Sequence, residues 1–515
     1  MEIISRNLKR HNQLLLLLML ILTFIILSPF VTIIHYFIQD QVYSQSQLNI
    51  FNNISLPELR WALQNTFLQA IISSFFIVLI SLWGAFGLFY LESNLKPKVY
   101  RFIEILLLAP ILLPSLYLVL ACFIIIKPFP FGILGISIVH VIHHTGTGII
   151  GFKTLIENKI GNNSELALIE GANKYYYIWN GIIKGIKKEI TYIFIYFFTI
   201  CFTSFQIPLL TGGSQGTTLE VLISEKILID NNLKQALGLA LVQFLFLIIL
   251  NYVSHNTPQL NQQIRNYKKD FKNTTLLNLK FGVFFIFLLP IFTLITPLLA
   301  IPKGVLQLHA IHFNFDKLLT LSFGSLKIGL ISGAVMSSLL ICICLLFDFK
   351  FFERFIRSYV SPSPVVMGTV LFLWKWLEFV PSSISLSVGL SILWVGGVYR
   401  IYLHPLIENL NLQIAVAKVM GANSFLIFKT IILPQISIPL FYAVGTSTLW
   451  TVGDFAISQF ITGQPFHLSM TIKSLASGYR LEAGLALSWI LLFVGGICFY
   501  FFTRIGNVIS KKSFL

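Results

Sequence analysis

The side chains able to do chemistry in this 515-residue chain are few, and they sit inside apolar sequence. His140, His143 and His144 are spaced three and four apart, which sets three imidazoles on one face of a helix. Such a group can ligate a transition metal, or hydrogen-bond inside a helix bundle. Cys122, Cys201, Cys342, Cys344 and Cys498 all fall in apolar segments, an odd set with neither a disulfide framework nor a zinc spacing. Cys342 and Cys344, two apart, point to different faces of a helix. Asp454, in Val452-Gly453-Asp454-Phe455, stands about 30 Å of helix beyond Pro434, near the external end of a span. It reads as a water-facing residue of a translocation path or gate, or as a capped residue at a helix end. Glu104, Lys375 and Glu378 read as interfacial or paired groups. No serine–histidine–acid order and no paired-carboxylate motif occurs, so no catalytic residues are assigned. No Gly-x-x-x-x-Gly-Lys-Ser/Thr occurs either, so this chain has no P-loop to cradle ATP.

These groups must be positioned by helices in a bilayer. Hydrophobic residues make up 56% of the chain and charged residues 11%, too few charges to cover soluble domains of this size. The apolar residues cluster in runs of about 20, long enough to cross the hydrocarbon core as helix. The +16 net charge fits basic residues retained on the cytoplasmic side, and basic patches with interleaved aromatics are absent outside the spans, which argues against nucleic acid as a partner. The 48 Phe, with many Ile, Asn and Lys, fit an AT-rich coding bias.

The first apolar run, Leu14 to about Phe37, follows Arg6, Lys9 and Arg10. It is too long for a signal peptide and lacks a small-residue cleavage site, so it reads as a retained first span. Further spans are expected at 65–90, 102–126, 133–152, 189–211 and 235–254, then at 281–301, 324–347, 359–379, 383–400, 436–460 and 484–503. Between the two sets lies a polar linker, 255–280, with Arg265, Lys268, Lys269 and Lys272. The expected fold is an all-α membrane protein of about twelve transmembrane helices. Residues 1–254 and 281–515 form two six-span units, and the excess of Lys and Arg places the linker and both termini in the cytoplasm.

The two units look like repeats 250 residues apart. Gly171 and Gly421 each follow an alanine-bearing stretch and precede Ala-Asn; the same offset pairs Phe205 with Phe455, Gly213 with Gly463 and Ser204 with Asp454. Six spans return the chain to its starting side, so the units run parallel, unlike inverted-repeat transporters. The loops before the fifth and eleventh spans carry the motif. The second, within 411–434, reads Ala415-Val416-Ala417-Lys418-Val419-Met420-Gly421-Ala422, then Ile431-Ile432-Leu433-Pro434. The first, within 160–188, reads Glu165-Leu166-Ala167-Leu168-Ile169-Glu170-Gly171-Ala172. Small residues let a helix seat against a partner, glycine permits a sharp turn, and proline marks the start of the next helix.

This pattern resembles the EAA loop of ABC importer permeases, in which Glu-Ala-Ala and a glycine precede Ile-x-Leu-Pro. Each copy departs from it: the first has Gly181-Ile182-Ile183-Lys184 in place of Ile-x-Leu-Pro, and the second has Ala415 in place of the glutamate. The resemblance implies two fused MetI-like permease domains in a bacterial inner (plasma) membrane. It implies coupling through Glu165, Ala167, Gly171 and Ala172 in one loop, and through Ala415, Ala417, Gly421, Ala422, Leu433 and Pro434 in the other. The ATPase, with its ATP and Mg, would be a separate subunit, a homodimer beneath the loops. An extracytoplasmic substrate-binding protein would be the other partner. This chain itself would bind no cofactor and no metal. Ser204, Phe205, Asp454 and Phe455 are the residues expected on the path or gate.

Phe202-Thr203-Ser204-Phe205, Gly212-Gly213-Ser214-Gln215-Gly216-Thr217-Thr218-Leu219-Glu220, Gly453-Asp454-Phe455 and Ser477-Gly478-Tyr479-Arg480 resemble thiamine permeases, and are shared in part with ferric-iron permeases. Thiamine or a thiamine phosphate is the substrate this implies, with ferric iron the alternative. A secondary transporter and a membrane enzyme are the readings from other classes.

Overall fold

The computed structural model describes residues 2–43, 56–160, 167, 169–255, 279–359, 363–374, 380–461 and 465–512. Glu165, Lys375, Glu378, Gly463 and most of the linker, Lys268 included, lie outside the described residues.

The main helices of the first half are α1 (Glu2–Tyr43), α2 (Leu56–Asn94), α3 (Pro97–Leu112), α4 (Ser115–Ile125), α5 (Ile133–Ile160), α6 (Lys187–Phe202), α7 (Leu219–Leu228) and α8 (Leu233–His255). Those of the second half are α9 (Gly282–Ala310), α10 (Phe315–Leu345), α11 (Lys350–Ser358), α12 (Pro364–Trp374), α13 (Ser382–Val398), α14 (Asn411–Val419), α15 (Ser424–Gly453), α16 (Leu468–Ser477) and α17 (Leu481–Lys512). No strand occurs among the described residues. Among the described residues, seven helices are long and apolar enough to cross a membrane, or eight if the bent pair α3–α4 counts as one span. Segments of α8, α12 and α13 are apolar but shorter.

The expected span at 102–126 is therefore not one rod. α3 and α4 meet at 101°. Leu113 and Pro114 are both extended, with ψ of 141° and 137°; at Leu113 this follows from the ring of Pro114, which disfavours a helical residue before it. The expected span at 189–211 is likewise interrupted, where α6 ends at Phe202 and a short helix, Gln206–Thr211, follows.

Elements about 250 positions apart have like character. The half-length helix α4 corresponds to α12, α5 to α13, α7 to α16 and α8 to α17. A π-helical turn at Tyr177–Ile183 corresponds to one at Phe428–Ile432. The first helix of each half reaches across to the other. From α1, the Ile26 carbonyl accepts from Tyr359 Oη at 3.2 Å, and Thr32 Oγ1 lies 3.3 Å from Trp374 Nε1. From α9, the Thr293 carbonyl accepts from Tyr117 Oη at 2.9 Å, and Gly282 lies against Gly87 of α2. Buried hydroxyls along the helices bond to carbonyls one turn back, as at Thr446, Ser447, Thr448 and Thr451, which satisfies them without water.

Candidate functional site

Two regions hold the singled-out residues: the paired loop turns, and a hydrogen-bond network between the halves.

In the second loop, α14 ends at Val419 and the chain reverses at Gly421, whose φ is +85°. Ala422 N–H donates to the Ala417 carbonyl at 3.0 Å, closing a Schellman turn with glycine at its left-handed position. Asn423 then caps the following helix, its Oδ1 accepting from Leu426 N–H at 2.8 Å. The first loop repeats this chemistry. Gly171 has φ +72°, Ala172 N–H donates to the Ala167 carbonyl at 2.9 Å, and Asn173 Oδ1 accepts from Tyr175 N–H at 3.0 Å. Gly-Ala-Asn thus encodes a stop, a reversal and a new start.

Both turns are open outward. A Cβ at Gly171 or Gly421 would meet nothing within 4 Å. Apolar side chains stand out beside them: Ile169 is 81% exposed, Val419 90% and Met420 81%. Ala415 is exposed, and Ala167, Ala417, Ala422 and Leu433 are half-buried. Buried Ile414 seats α14 on the helix bundle.

Within the longer segment α15, Pro434 stands in the first turn of the α-helical stretch Leu433–Gly453, where its missing N–H costs little. The π turn Phe428–Ile432 immediately precedes it, a widening that accommodates the missing N–H and the ring of a proline within a helix. The first half has the same widening without proline: Lys184 N–H donates to the Trp179 carbonyl at 3.2 Å.

Asp348, just past α10, ties down the second loop by an ion pair to Lys418 and a hydrogen bond from Ser424. The corresponding position in the first half is Lys98. Because Lys418 is half-exposed, such a pair contributes about 0–1 kcal/mol. Asp348→Ala is therefore expected to lower transport by less than about fivefold. Uptake assayed at matched expression checks this; complete loss would show that the tether matters more than its exposure allows.

The second region lies where the halves meet. Asp454 is 3% exposed and follows Gly453 at the end of α15. Its Oδ2 accepts from Ile457 N–H at 3.1 Å, Ser458 N–H at 3.2 Å and Ser458 Oγ at 3.3 Å, holding the turn into a short helix. Its Oδ1 accepts from Gln206 Nε2, of the first half, at 2.6 Å. The side-chain Oε1 of Gln206 in turn accepts from Ser115 Oγ at the start of α4. His467 joins the network, with Nε2 2.9 Å from Ser458 Oγ and Nδ1 2.7 Å from Ser469 Oγ. Phe455 and Phe205 are buried, Phe205 has its ring centroid 6.1 Å from that of Phe460, and Ser204 is half-buried. Trp450 Nε1 reaches the Ile111 carbonyl at 2.9 Å, and Gly453 packs on Pro114.

Sequence reasoning missed Gln206, and it quoted Glu220 only as part of the stretch 212–220 without giving it a role. A glutamine beside Phe205 carries no pattern of its own, and its partner lies 248 positions away. Glu220 is fully buried; it accepts from Gln243 and, at 3.1 Å, from Val365 N–H at the start of α12. Its signal was a carboxylate within an apolar stretch.

The three histidines do share a region of α5. The rings of His140 and His144 stack with centroids 5.9 Å apart, and those of His143 and His144 are 4.6 Å apart. Both ring nitrogens of His140 and the Nδ1 atoms of His143 and His144 are buried without hydrogen-bond partners. Among the described residues, no group of three or more His, Cys, Asp or Glu is arranged to hold a metal ion.

The chain is 25% identical over 334 residues to the thiamine transport system permease protein ThiP of Haemophilus influenzae. The match covers 61% of this chain and 62% of that protein, less than two thirds of the relative's length. No protein-family model matches the chain, and no solved structure matches it. Its long apolar helices and this similarity identify a multi-pass, helical membrane protein distantly related to a permease.

Proposed function

We propose that the chain is the permease subunit of a binding-protein-dependent ABC importer, with two parallel six-span MetI-like repeats that form the path and couple to a separate ATPase. The observation that carries this is the pair of Gly-Ala-Asn turns, 250 residues apart, with the same Ala-to-Ala backbone hydrogen bond, a left-handed glycine and exposed apolar side chains in each. Two matched, exposed apolar turns fit a two-fold partner such as a homodimeric ATPase, and apolar patches on an exposed turn mark a protein contact. The twelve spans of this reading are the seven long helices, the bent pair, the three shorter apolar helices and α6 with its short continuation.

The similarity to a thiamine permease supports thiamine or a thiamine phosphate as the substrate. The chain would sit in a bacterial inner membrane with both termini in the cytoplasm, receiving substrate from an extracytoplasmic binding protein. ATP and Mg would be held by the ATPase alone.

The test is reconstitution in lipid vesicles with a partner ATPase and a substrate-binding protein from the same organism. Thiamine-loaded binding protein should stimulate ATP hydrolysis, and uptake should require ATP. Stimulation by ferric iron and not by thiamine would overturn the substrate. Uptake that survives without the ATPase, driven by a proton or sodium gradient, would replace the whole reading with a secondary transporter. Single cysteines supply the topology: position 303 should label from outside with an impermeant reagent, and position 511 only after permeabilisation.

A further inference from the structure

The two oxygens of Asp454 are held differently. Oδ2 has three partners on its own segment, two of them backbone N–H groups, and these fix the carboxylate in place. Oδ1 has a single side-chain partner, the Gln206 amide at 2.6 Å, and that partner belongs to the other half of the chain. Glu220 offers a contrast: the backbone N–H of Val365 and the Gln243 amide occupy both of its oxygens. Near Asp454 in the chain the halves touch at three further places. Phe205 meets Phe460, Gly453 packs on Pro114, and Trp450 reaches Ile111. These contacts join the halves here, and the Gln206–Asp454 bond is a polar link among them.

We propose that Gln206 is a stand-in for a cationic substrate. Its amide N–H occupies Asp454 Oδ1 while the outer side is closed, and the substrate's positive charge takes that oxygen when the halves separate. The inference rests on the permease reading and adds to it the residues that would meet the substrate's positive charge and the exchange by which they do so. A neutral donor suits the role. It satisfies a carboxylate that would otherwise be buried unpaired, yet binds it more weakly than a full positive charge would. Phe205 and Phe455, the chain neighbours of Gln206 and Asp454, are buried, and Phe205 lies 6.1 Å from Phe460 between ring centroids; aromatic rings in this region favour an organic cation over a small hydrated ion. The exchange makes closing and substrate release compete for one lone pair, so substrate is not trapped at the carboxylate.

The experiment uses the full chain with its ATPase in lipid vesicles, with the binding protein absent or present. Gln206→Ala removes the donor, and binding-protein-independent ATP hydrolysis should rise roughly tenfold as closure weakens. In this variant thiamine alone should stimulate hydrolysis further. An uncharged isostere carrying carbon in place of the quaternary nitrogen should not. Adding Asp454→Asn should abolish the thiamine response, a charge-specific effect that a packing role would not produce. Gln206→Glu has nearly the same shape and sets a second carboxylate against Asp454, so it should raise basal hydrolysis at least as much and serves if the alanine variant folds poorly. Wild-type basal hydrolysis in both Gln206 variants, with normal stimulation by loaded binding protein, would overturn the inference and leave the permease reading intact. Equal responses to the cation and the neutral isostere would overturn it too. A wild-type chain that never stimulates the ATPase would remove both.

Discussion

Gly421→Asp is expected to abolish ATP-coupled transport while leaving the chain inserted in the membrane. Two effects combine. The residue sits at φ +85°, where a side chain costs roughly 1–2 kcal/mol. The new carboxylate would also stand beside Val419 and Met420, the exposed apolar pair of the turn. On docking to a partner it would be buried unpaired, a penalty of about 2–5 kcal/mol, or roughly thirtyfold or more in affinity. Nothing lies within 4 Å of a Cβ at this position, so the fold itself has no steric reason to fail. Co-purification of the ATPase and uptake should therefore fall together while the yield of the chain holds. Gly171→Asp should act in the same direction, since Gly171 has φ +72°, equal freedom and exposed Ile169 beside it. Gly421→Ala separates the two effects: it keeps the strain, lacks the charge, and should retain most coupling. Normal uptake in both aspartate variants would remove the loops from the coupling role.

Gly282→Leu is expected to have the largest effect on folding. A Cβ at Gly282 would lie 2.6 Å from Gly87 N and 2.9 Å from Gly87 Cα, both backbone atoms that no rotamer change can move aside. Overfilling a packed site by a few methylenes costs typically 1–3 kcal/mol, and here the two helices must part, so about 3 kcal/mol or more is expected. The crossing is where α9, from the second half, seats on α2 of the first. Its loss should show as aggregation on extraction and a lowered melting temperature. A leucine variant as stable as the parent would mean that α9 does not cross α2 at this glycine pair.

The contrast between these glycines shows what was legible in the sequence. Gly171 and Gly421 could be read because their neighbours are local: a short alanine-bearing helix, a reversal and an Asn cap are all encoded within a few residues. Gly282 carried no such signal, because what it meets lies 195 positions earlier in the chain. The membrane class and most helices followed from apolar run length, which is also local. The break between α3 and α4 was not foreseen because proline alone is ambiguous: Pro110 sits inside α3 while Pro114 ends it. Which proline bends a helix depends on what packs around it, here Gly453 and Trp450 from the other half. Asp454 was found as a lone acid in an apolar stretch. Its partner Gln206 was not, since pairing across 248 residues leaves no periodic trace.

The central claim is that both turns meet the ATPase. A photo-crosslinking residue placed at Ile169 or at Val419, each exposed and apolar, should capture the ATPase subunit in intact membranes. The account predicts a crosslinked product from both positions, and none from a lipid-facing control such as Leu299 on α9. Capture from neither turn, with the ATPase present and active in the same membranes, would contradict it.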